Sequence, residues 1–298
     1  MRELGVVILH HDRWPGVRDT IAATIADGVD PTSIVVVDNA SPSSALEALR
    51  AACPEIRVLA LPGNDGYAAG MNAGIRVWPD RDVLLLTHDC VLEPGAISLL
   101  RTTLDDPTVG MAGPLLCFRS QPDVVWSAGG CYRDRRITHD GYRVPRSTLT
   151  RATTADVDWL DGACLMVRRD VLDSVGAFDE RYFLYFEETD LAFRVRRAGH
   201  RVVCVQTAAA GQEPSARPEA LFVRNQLRFL QRQVSTHAAV RQAAHELRRI
   251  ARLTLSRDPA LRRRGALAAR GVVGWMWGTD PRELYALSTG GPRARTGG

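Results

Sequence analysis

Apolar positions in the first ninety residues come in unbroken blocks. Leu4 to Leu9 is one such run, Ser33 to Val37 closes another, Ile56 to Leu59 is a shorter third, and Asp82 to Leu86 (DVLLL) is a fourth. Runs of β-branched residues and leucine at this length predict strands covered on both faces, the condition of a parallel sheet. Helical segments lie between them: one from Trp14 to about Asp27, one opened by Pro42 and Ser43, and one that starts within the glycine-rich stretch 63–74. Strand and helix in alternation predict an α/β fold with a parallel, doubly wound sheet.

The pattern then changes. Residues 113–158 hold glycine, proline and charge at short intervals and read as loop-rich. Trp159 to Val167, bounded by Asp161-Gly162, reads as a buried strand or strand pair, and Arg168 to Val175 as a short helix closed by Gly176. After the turn Phe178-Asp179-Glu180-Arg181, the aromatic run from Tyr182 to Phe186 meets Glu187-Glu188-Thr189-Asp190. Leu191, Val195 and Ala198 follow at helical spacing against Arg194, Arg196 and Arg197, with Gly199 as the C-cap. Val202 to Val205 reads as one more strand, 219–256 and 259–277 as long helices, and residues beyond Thr289 as a disordered tail.

Composition narrows the class. The 298 residues suffice for one sizeable α/β domain and an appendage. The net charge of +4 comes from arginine alone, since the chain has no lysine. That bias points to a GC-rich genome and away from a nucleic-acid partner. No segment is long enough to span a bilayer, and the first apolar run is too short for a signal peptide, so the expected location is cytoplasmic. The six cysteines stand singly, without a C-x-x-C pair, which predicts buried reduced thiols and neither a disulfide framework nor a zinc site.

Candidate chemistry gathers at strand ends. His10-His11-Asp12-Arg13 follows the first strand, where open α/β sheets bind ligands. Asp38 ends the second strand; as a carboxylate it can accept hydrogen bonds from a nucleotide base or ribose, or it can close an Asx turn. Residues 63–74, GNDGYAAGMNAG, let the backbone approach a diphosphate or sugar closely. The fourth strand delivers Thr87-His88-Asp89 to the same edge. In the second half, Glu187, Glu188 and Asp190 compensate a helix dipole on one reading. On the other, Tyr185 and Phe186 desolvate a glutamate and make it a proton acceptor near neutral pH.

The string GACLMVRRDVLDSVGAFDERYFLYFEETDLAFRVRRAGHRVVCV resembles the second half of a family 2 glycosyltransferase of the GT-A fold, in the rhamnosyltransferase-like branch. The resemblance runs back through VVVDNAS, GNDGYAAGMNAGI and LLLTHDCVL and forward to Arg224-Asn225, about residues 4–232. It implies a Rossmann-like, mostly parallel central sheet flanked by helices. Residues 1–232 would be the catalytic domain, with a nucleotide-sugar half to about residue 110 and an acceptor half from 111. Residues 233–298 would be a helical, arginine-rich C-terminal extension.

The implied reaction is inverting transfer of a sugar from a nucleotide-diphosphate donor, a dTDP-deoxysugar first and a UDP-sugar next, to an acceptor hydroxyl. That hydroxyl would belong to a glycan, a lipid-linked intermediate or a specialised metabolite. By resemblance His10, Asp38, Asn64, Gly66, Asn72, Asp89 and Asp161 bind the donor, and Glu188 is the general base, with Glu187 as its fallback and Asp190 as an orienting group. Asp89 would hold Mg²⁺ or Mn²⁺ together with the donor's phosphates, and His88 could add a softer ligand. Two departures weaken the metal: the family's acidic triplet is Thr87-His88-Asp89 here, and Gln212 stands where relatives place a histidine. An arginine could then neutralise the diphosphate instead.

Other roles stay open. Trp126 and Trp159 read equally as sugar-stacking platforms or as core. Arg133 to Arg136 and His139-Asp140 read as a solvated loop or as contacts to an anionic acceptor. The basic helices ending in Trp275 and Trp277 read as a membrane-surface anchor, as packing against the catalytic domain, or as a homodimer interface. A catalytically impaired nucleotide-sugar-binding homologue is the alternative to an enzyme. A nucleotidyltransferase is disfavoured, because no glycine-rich basic loop follows the first strand.

Overall fold

The computed structural model describes residues 2–12, 16–133, 136–149, 153–214 and 217–289. The expectations on Arg13, Trp14, Asp134, Arg135 and the tail beyond Thr289 lie outside these residues. The chain divides into two compact units, residues 1–178 with 191–214, and residues 179–190 with 215–298.

The first unit is built on a mixed sheet. Its parallel part comprises β1 (Leu4–His10), β2 (Ile34–Asp38), β3 (Arg57–Ala60) and β4 (Asp82–Thr87), in the order β4-β1-β2-β3. Every residue of β1 and β2 is buried, in keeping with their unbroken apolar runs. Helices cover both faces. Val6, Ile8, Ile34, Val36, Leu84 and Leu86 pack with residues of α1 (Gly16–Ala26), α2 (Ser43–Ala52) and α4 (Ala96–Leu104). On the opposite face α3 (Gly66–Ile75) lies so close that a side chain at Gly74 would strike Val7 and Val37. Glycine at 74 therefore sets how closely helix and sheet approach.

The stretch expected to be loop-rich is strand-rich. After β5 (Val91–Leu92) come β6 (Val109–Phe118), β7 (Gln121–Ser127), the hairpin of β8 (Gly130–Arg133) and β9 (Arg136–His139), and β10 (Thr154–Asp156). β6 escapes a pattern reading because Gly110, Gly113 and Pro114 look like punctuation. The fold accommodates the proline with a bulge: β6 pairs in parallel with β12 (Arg201–Gln212), and the register slips between Val205 and Ala209, beside Pro114, which has no N–H to give. β12 also outruns the expected Val202 to Val205. Its Ala208-Ala209-Ala210 stretch has helical propensity, but burial in the sheet overrides it. β11 (Cys164–Val167) joins the two halves by pairing antiparallel with both β4 and β6. α5 (Arg169–Val175) follows, and all six cysteines are free and buried.

The division between units falls inside α6 (Glu187–Arg197). The second unit holds α7 (Glu219–Phe229), α8 (Thr236–Thr254), α9 (Pro259–Trp277) and α10 (Pro281–Thr289). Val223 and Leu227 of α7 pack on Ala243 of α8 and on Ala268 and Val272 of α9. Phe183 packs with Ala220, Leu221 and Leu284. No helix among the described residues is long and apolar enough to cross a membrane.

Candidate functional site

In the first unit the predicted residues meet at the carboxyl ends of the parallel strands. His10 ends β1 and Asp38 ends β2, one opposite the other in register. Both are buried, and His10 Nδ1 lies 2.9 Å from Asp38 Oδ1. Asp38 Oδ2 accepts the backbone N–H of Ser41 at 3.1 Å, so the turn reading also holds. Burial works to raise the Asp38 carboxyl, but the hydrogen bonds from His10 and Ser41 outweigh it and hold the group below its ordinary range. A buried carboxylate is thus kept charged at the strand end.

The next residue, Asn39, was not singled out from the sequence, yet it ties the strand end to the glycine-rich loop. Its Nδ2 donates to Asn64 Oδ1 at 3.0 Å and to the Gly66 carbonyl at 3.2 Å. Asn64 Oδ1 also accepts the Gly66 N–H at 3.0 Å, and Asn64 Nδ2 lies 3.3 Å from His11 Nε2. Gly66 takes φ +89°, a value that only glycine adopts without strain, and so starts α3 directly behind Asn64. His10, Asp38, Asn64 and Gly66 therefore form one connected cluster. Asn72 stands apart from it. Its amide exchanges hydrogen bonds with the backbone of Phe178, at 2.9 and 3.0 Å, and clamps the turn after α5. That engagement makes it a brace of the fold; the resemblance implied a donor ligand at this position.

Asp89 follows β4, and Gln212 ends β12 beside it. Gln212 Nε2 donates to Asp89 Oδ1 and to Thr87 Oγ1, each at 3.1 Å. His88 turns its ring edge-on to His10, with centroids 6.1 Å apart. Among the described residues no group of three His, Cys, Asp or Glu side chains could hold a metal ion. A cation at Asp89 would therefore share its coordination with oxygens of the ligand. Asp161 is paired, with His139 Nε2 3.0 Å from its Oδ1 and Ser127 Oγ donating to its Oδ2. Trp126 and Trp159 are both buried and flank His139.

The predicted acids lie in the second unit, behind a strained segment. Phe183, Tyr185 and Phe186 all have positive φ, at 68°, 72° and 74°. Leu184 donates its N–H to the Tyr182 carbonyl at 2.9 Å around Phe183 at φ 68°, ψ −63°, the rare strained form of γ-turn. Asn225 holds this backbone: its Nδ2 reaches the carbonyls of Tyr182, Leu184 and Tyr185 at 2.8 to 2.9 Å. Neighbouring Arg224 is buried and donates to the Arg181 carbonyl and to Asn225 Oδ1, at 2.6 and 2.7 Å. Burial lowers its guanidinium to about 10.

The segment delivers Glu187 into full burial beside Glu188. Burial first, and the charge of Glu188 second, push the Glu187 carboxyl well above its ordinary range. Tyr185 is pushed up to about 12 by burial and by Glu187. Asp190 Oδ1 accepts from Tyr182 Oη at 3.2 Å and from Gln233 Nε2 at 2.6 Å, the contacts of an anchored helix start. The resemblance reached Asn225 without giving it a role, and Gln233 was not singled out; the partners of both lie about forty residues away, beyond any local pattern.

Comparison with known proteins gives a consistent answer. The chain matches the family described as Glycosyltransferase like family 2 over residues 3–246. It is 29% identical over 230 residues to the N-acetylglucosaminyl-diphospho-decaprenol L-rhamnosyltransferase of Mycobacterium tuberculosis, covering 69% of this chain and 74% of that one. Among solved structures, GalNAc-T7 with UDP, GalNAc and Mn²⁺ superposes with a TM-score of 0.62 at 15% identity over 78% of this chain; the match spans 48%, about half, of that protein. The mannosyltransferase PcManGT of Pyrobaculum calidifontis, in complex with GDP-Man and Mn²⁺, gives 0.58 at 15% identity, covering 93% of this chain and 88% of that one. At these identities the two structures speak for the GT-A fold alone.

Proposed function

The chain belongs to glycosyltransferase family 2 and is a glycosyltransferase of the hexosyltransferase kind; on that premise we propose an inverting transfer from a dTDP-deoxysugar, with UDP-sugars as second choice, to a hydroxyl of a lipid-linked glycan. The observation that carries the donor assignment is the Asp38 carboxylate, kept charged by His10 and Ser41 and tied through Asn39 to Asn64 and Gly66. Such a carboxylate suits the hydroxyls of a ribose or the N–H of a pyrimidine base. The amides that open α3 suit the diphosphate. The lipid-linked acceptor is chosen because the Mycobacterium relative is named for one.

In the proposed step the acceptor oxygen attacks the anomeric carbon, its proton passes to Glu188, and the nucleoside diphosphate departs from the opposite face with the bonding electrons. Burial and the neighbouring Glu188 push the Glu187 carboxyl well above its ordinary range, and Glu188 is the member of the pair assigned to take that proton. Asp161 accepts a hydrogen bond from a sugar hydroxyl. Asp89 would hold Mg²⁺ or Mn²⁺ with the donor's phosphates, and the cation would neutralise the leaving diphosphate. Residues 1–232 carry the chemistry.

The extension 233–298 docks on an anionic membrane surface. Val240, Ala244, Leu247, Ala251 and Leu255 form one exposed stripe along α8, flanked by Arg241, Arg248 and Arg252. The sole acid of α8, Glu246, is buried and paired with Arg249. A second copy of the helix would set arginine against arginine, which disfavours a homodimer.

Calorimetric titration with dTDP, UDP and GDP, each with Mn²⁺, Mg²⁺ or EDTA, tests the donor assignment. Binding of dTDP ahead of the others is expected, and no binding of any nucleotide would overturn the reading. One observation favours the catalytically impaired alternative, the Gln212 amide bonded to Asp89. Nucleotide binding without turnover on any lipid-linked glycan would establish it.

A further inference from the structure

Four side chains of the first unit form a cluster that the proposed chemistry uses only in part. His139, at the end of β9, packs its ring between two indoles, 4.7 Å from Trp159 in an edge-on arrangement and 5.6 Å from Trp126 in a tilted one. Its Nε2 pairs with Asp161, whose second oxygen is engaged by Ser127. The imidazole side chain is 39% exposed and the carboxylate 11%, so the pair opens to solvent. Both tryptophans are more than nine-tenths buried, and neither indole N–H has a hydrogen-bond partner among the described residues.

The backbone is arranged to permit this. A side chain at Gly130 would strike Trp159 and the Thr138 carbonyl, and Gly129 takes φ +79°. The glycine pair lets the Trp159 ring lie across the β8–β9 hairpin that ends in His139.

We infer that His139, Trp126, Trp159 and Asp161 form a sugar-recognition site, in which His139 is a positioning residue for Asp161 and the two indoles supply an apolar wall. A sugar ring presents apolar C–H faces and hydroxyl edges. Indoles match the first. Asp161 retains lone pairs beyond those given to His139 and Ser127, and these accept hydroxyl protons. The inference rests on the transferase reading for the origin of the sugar, which is either the donor or the acceptor.

Full-length protein is titrated calorimetrically with dTDP, with dTDP-rhamnose and with methyl rhamnoside, and the KM for a lipid-linked N-acetylglucosamine acceptor is measured alongside. If the site reads the donor sugar, His139→Ala reduces the preference for dTDP-rhamnose over dTDP by about 10-fold, the scale of one lost hydrogen bond to a charged group, and leaves dTDP affinity unchanged. His139→Gln, whose amide can still donate to Asp161, restores part of it. If the site reads the acceptor, the same variants raise the acceptor KM with donor binding and kcat unchanged. Should the wild type bind neither nucleotide, the transferase reading fails on its own. The site is then judged on methyl rhamnoside, which should change indole fluorescence in the wild type but not in Trp126→Phe/Trp159→Phe. A folded His139→Ala protein that matches the wild type in donor preference, acceptor KM and glycoside binding would overturn the inference.

Discussion

Gln212 Nε2 donates to Asp89 Oδ1 across 3.1 Å, joining the last residue of β12 to the acid that follows β4. The amide stabilises the carboxylate but presents a nitrogen that cannot ligate a cation. Gln212→His would put an imidazole at the same strand end, and imidazole is a competent ligand for Mn²⁺. Mn²⁺ affinity in the presence of dTDP is expected to rise on the order of 10-fold, the size of effect seen when a metal's surroundings are altered. Calorimetric titration of Mn²⁺ into the dTDP complex measures it, and equal affinities in the two proteins would separate Gln212 from any metal role.

Glu188→Gln should lower kcat by about 10²- to 10⁴-fold, the usual contribution of a positioned base, and leave donor affinity intact. Calorimetry and steady-state turnover separate the two effects. Undiminished turnover would remove Glu188 from the mechanism and move the role to Glu187.

Glu187 makes a distinct prediction about pH. Its carboxyl is raised in the folded chain, so folding favours the protonated form. The stability this contributes is complete below the unfolded value of roughly 4.3 and is lost as pH rises through the folded value. Glu187→Gln, which mimics the neutral acid, should be the more stable protein at pH 8, with Tm higher by about 2–4 °C per kcal/mol regained, and should show no advantage at pH 4. Thermal melts of both proteins across that range test the sign.

How much of this could be read from the chain differs by element. β1, β2 and β4 were legible because a strand covered on both faces must be apolar throughout. β6 was not, because its glycines and proline are tolerated only through a bulge in a neighbour almost a hundred residues later. The apolar runs before them placed Asp38 and Asp89 at strand ends, whereas Asn64 entered through the resemblance alone. The pairing of Asp161 with His139 was hidden, since no local pattern links a strand end to a hairpin end. Phe183, Tyr185 and Phe186 would favour a strand on propensity alone. They are held at positive φ by packing and by Asn225, which is a tertiary fact.

That brace gives its own test. Removing the Asn225 amide leaves three carbonyls without their donor and releases backbone strain of about 1–3 kcal/mol per residue into the segment that carries Glu187 and Glu188. Asn225→Asp is the sharper change, because it keeps an oxygen for Arg224 but sets a carboxylate against those carbonyls. It should destabilise the protein by about 2 kcal/mol or more and lower kcat more than it raises the donor KM. Urea unfolding and steady-state kinetics provide both readouts, and native stability in the variant would mean that packing alone holds the turn.

The membrane assignment depends on charge as well as on the apolar stripe, and the two can be separated. Burying Leu247 and Leu255, which are 55% and 86% exposed, removes apolar area from water at any lipid surface. Arg241, Arg248 and Arg252 add attraction only where the surface is anionic, by about 1 kcal/mol each, and that part is screened by salt. Flotation with phosphatidylglycerol vesicles should therefore capture the protein at low salt, with phosphatidylcholine vesicles capturing far less. Arg248→Glu/Arg252→Glu should abolish the difference between the two lipids, whereas Leu247→Ser/Leu255→Ser should weaken binding to both. A protein that ignores both vesicles but sediments as a dimer, and becomes monomeric in the leucine variant, would reassign the α8 stripe to a second copy of the chain despite its arginines.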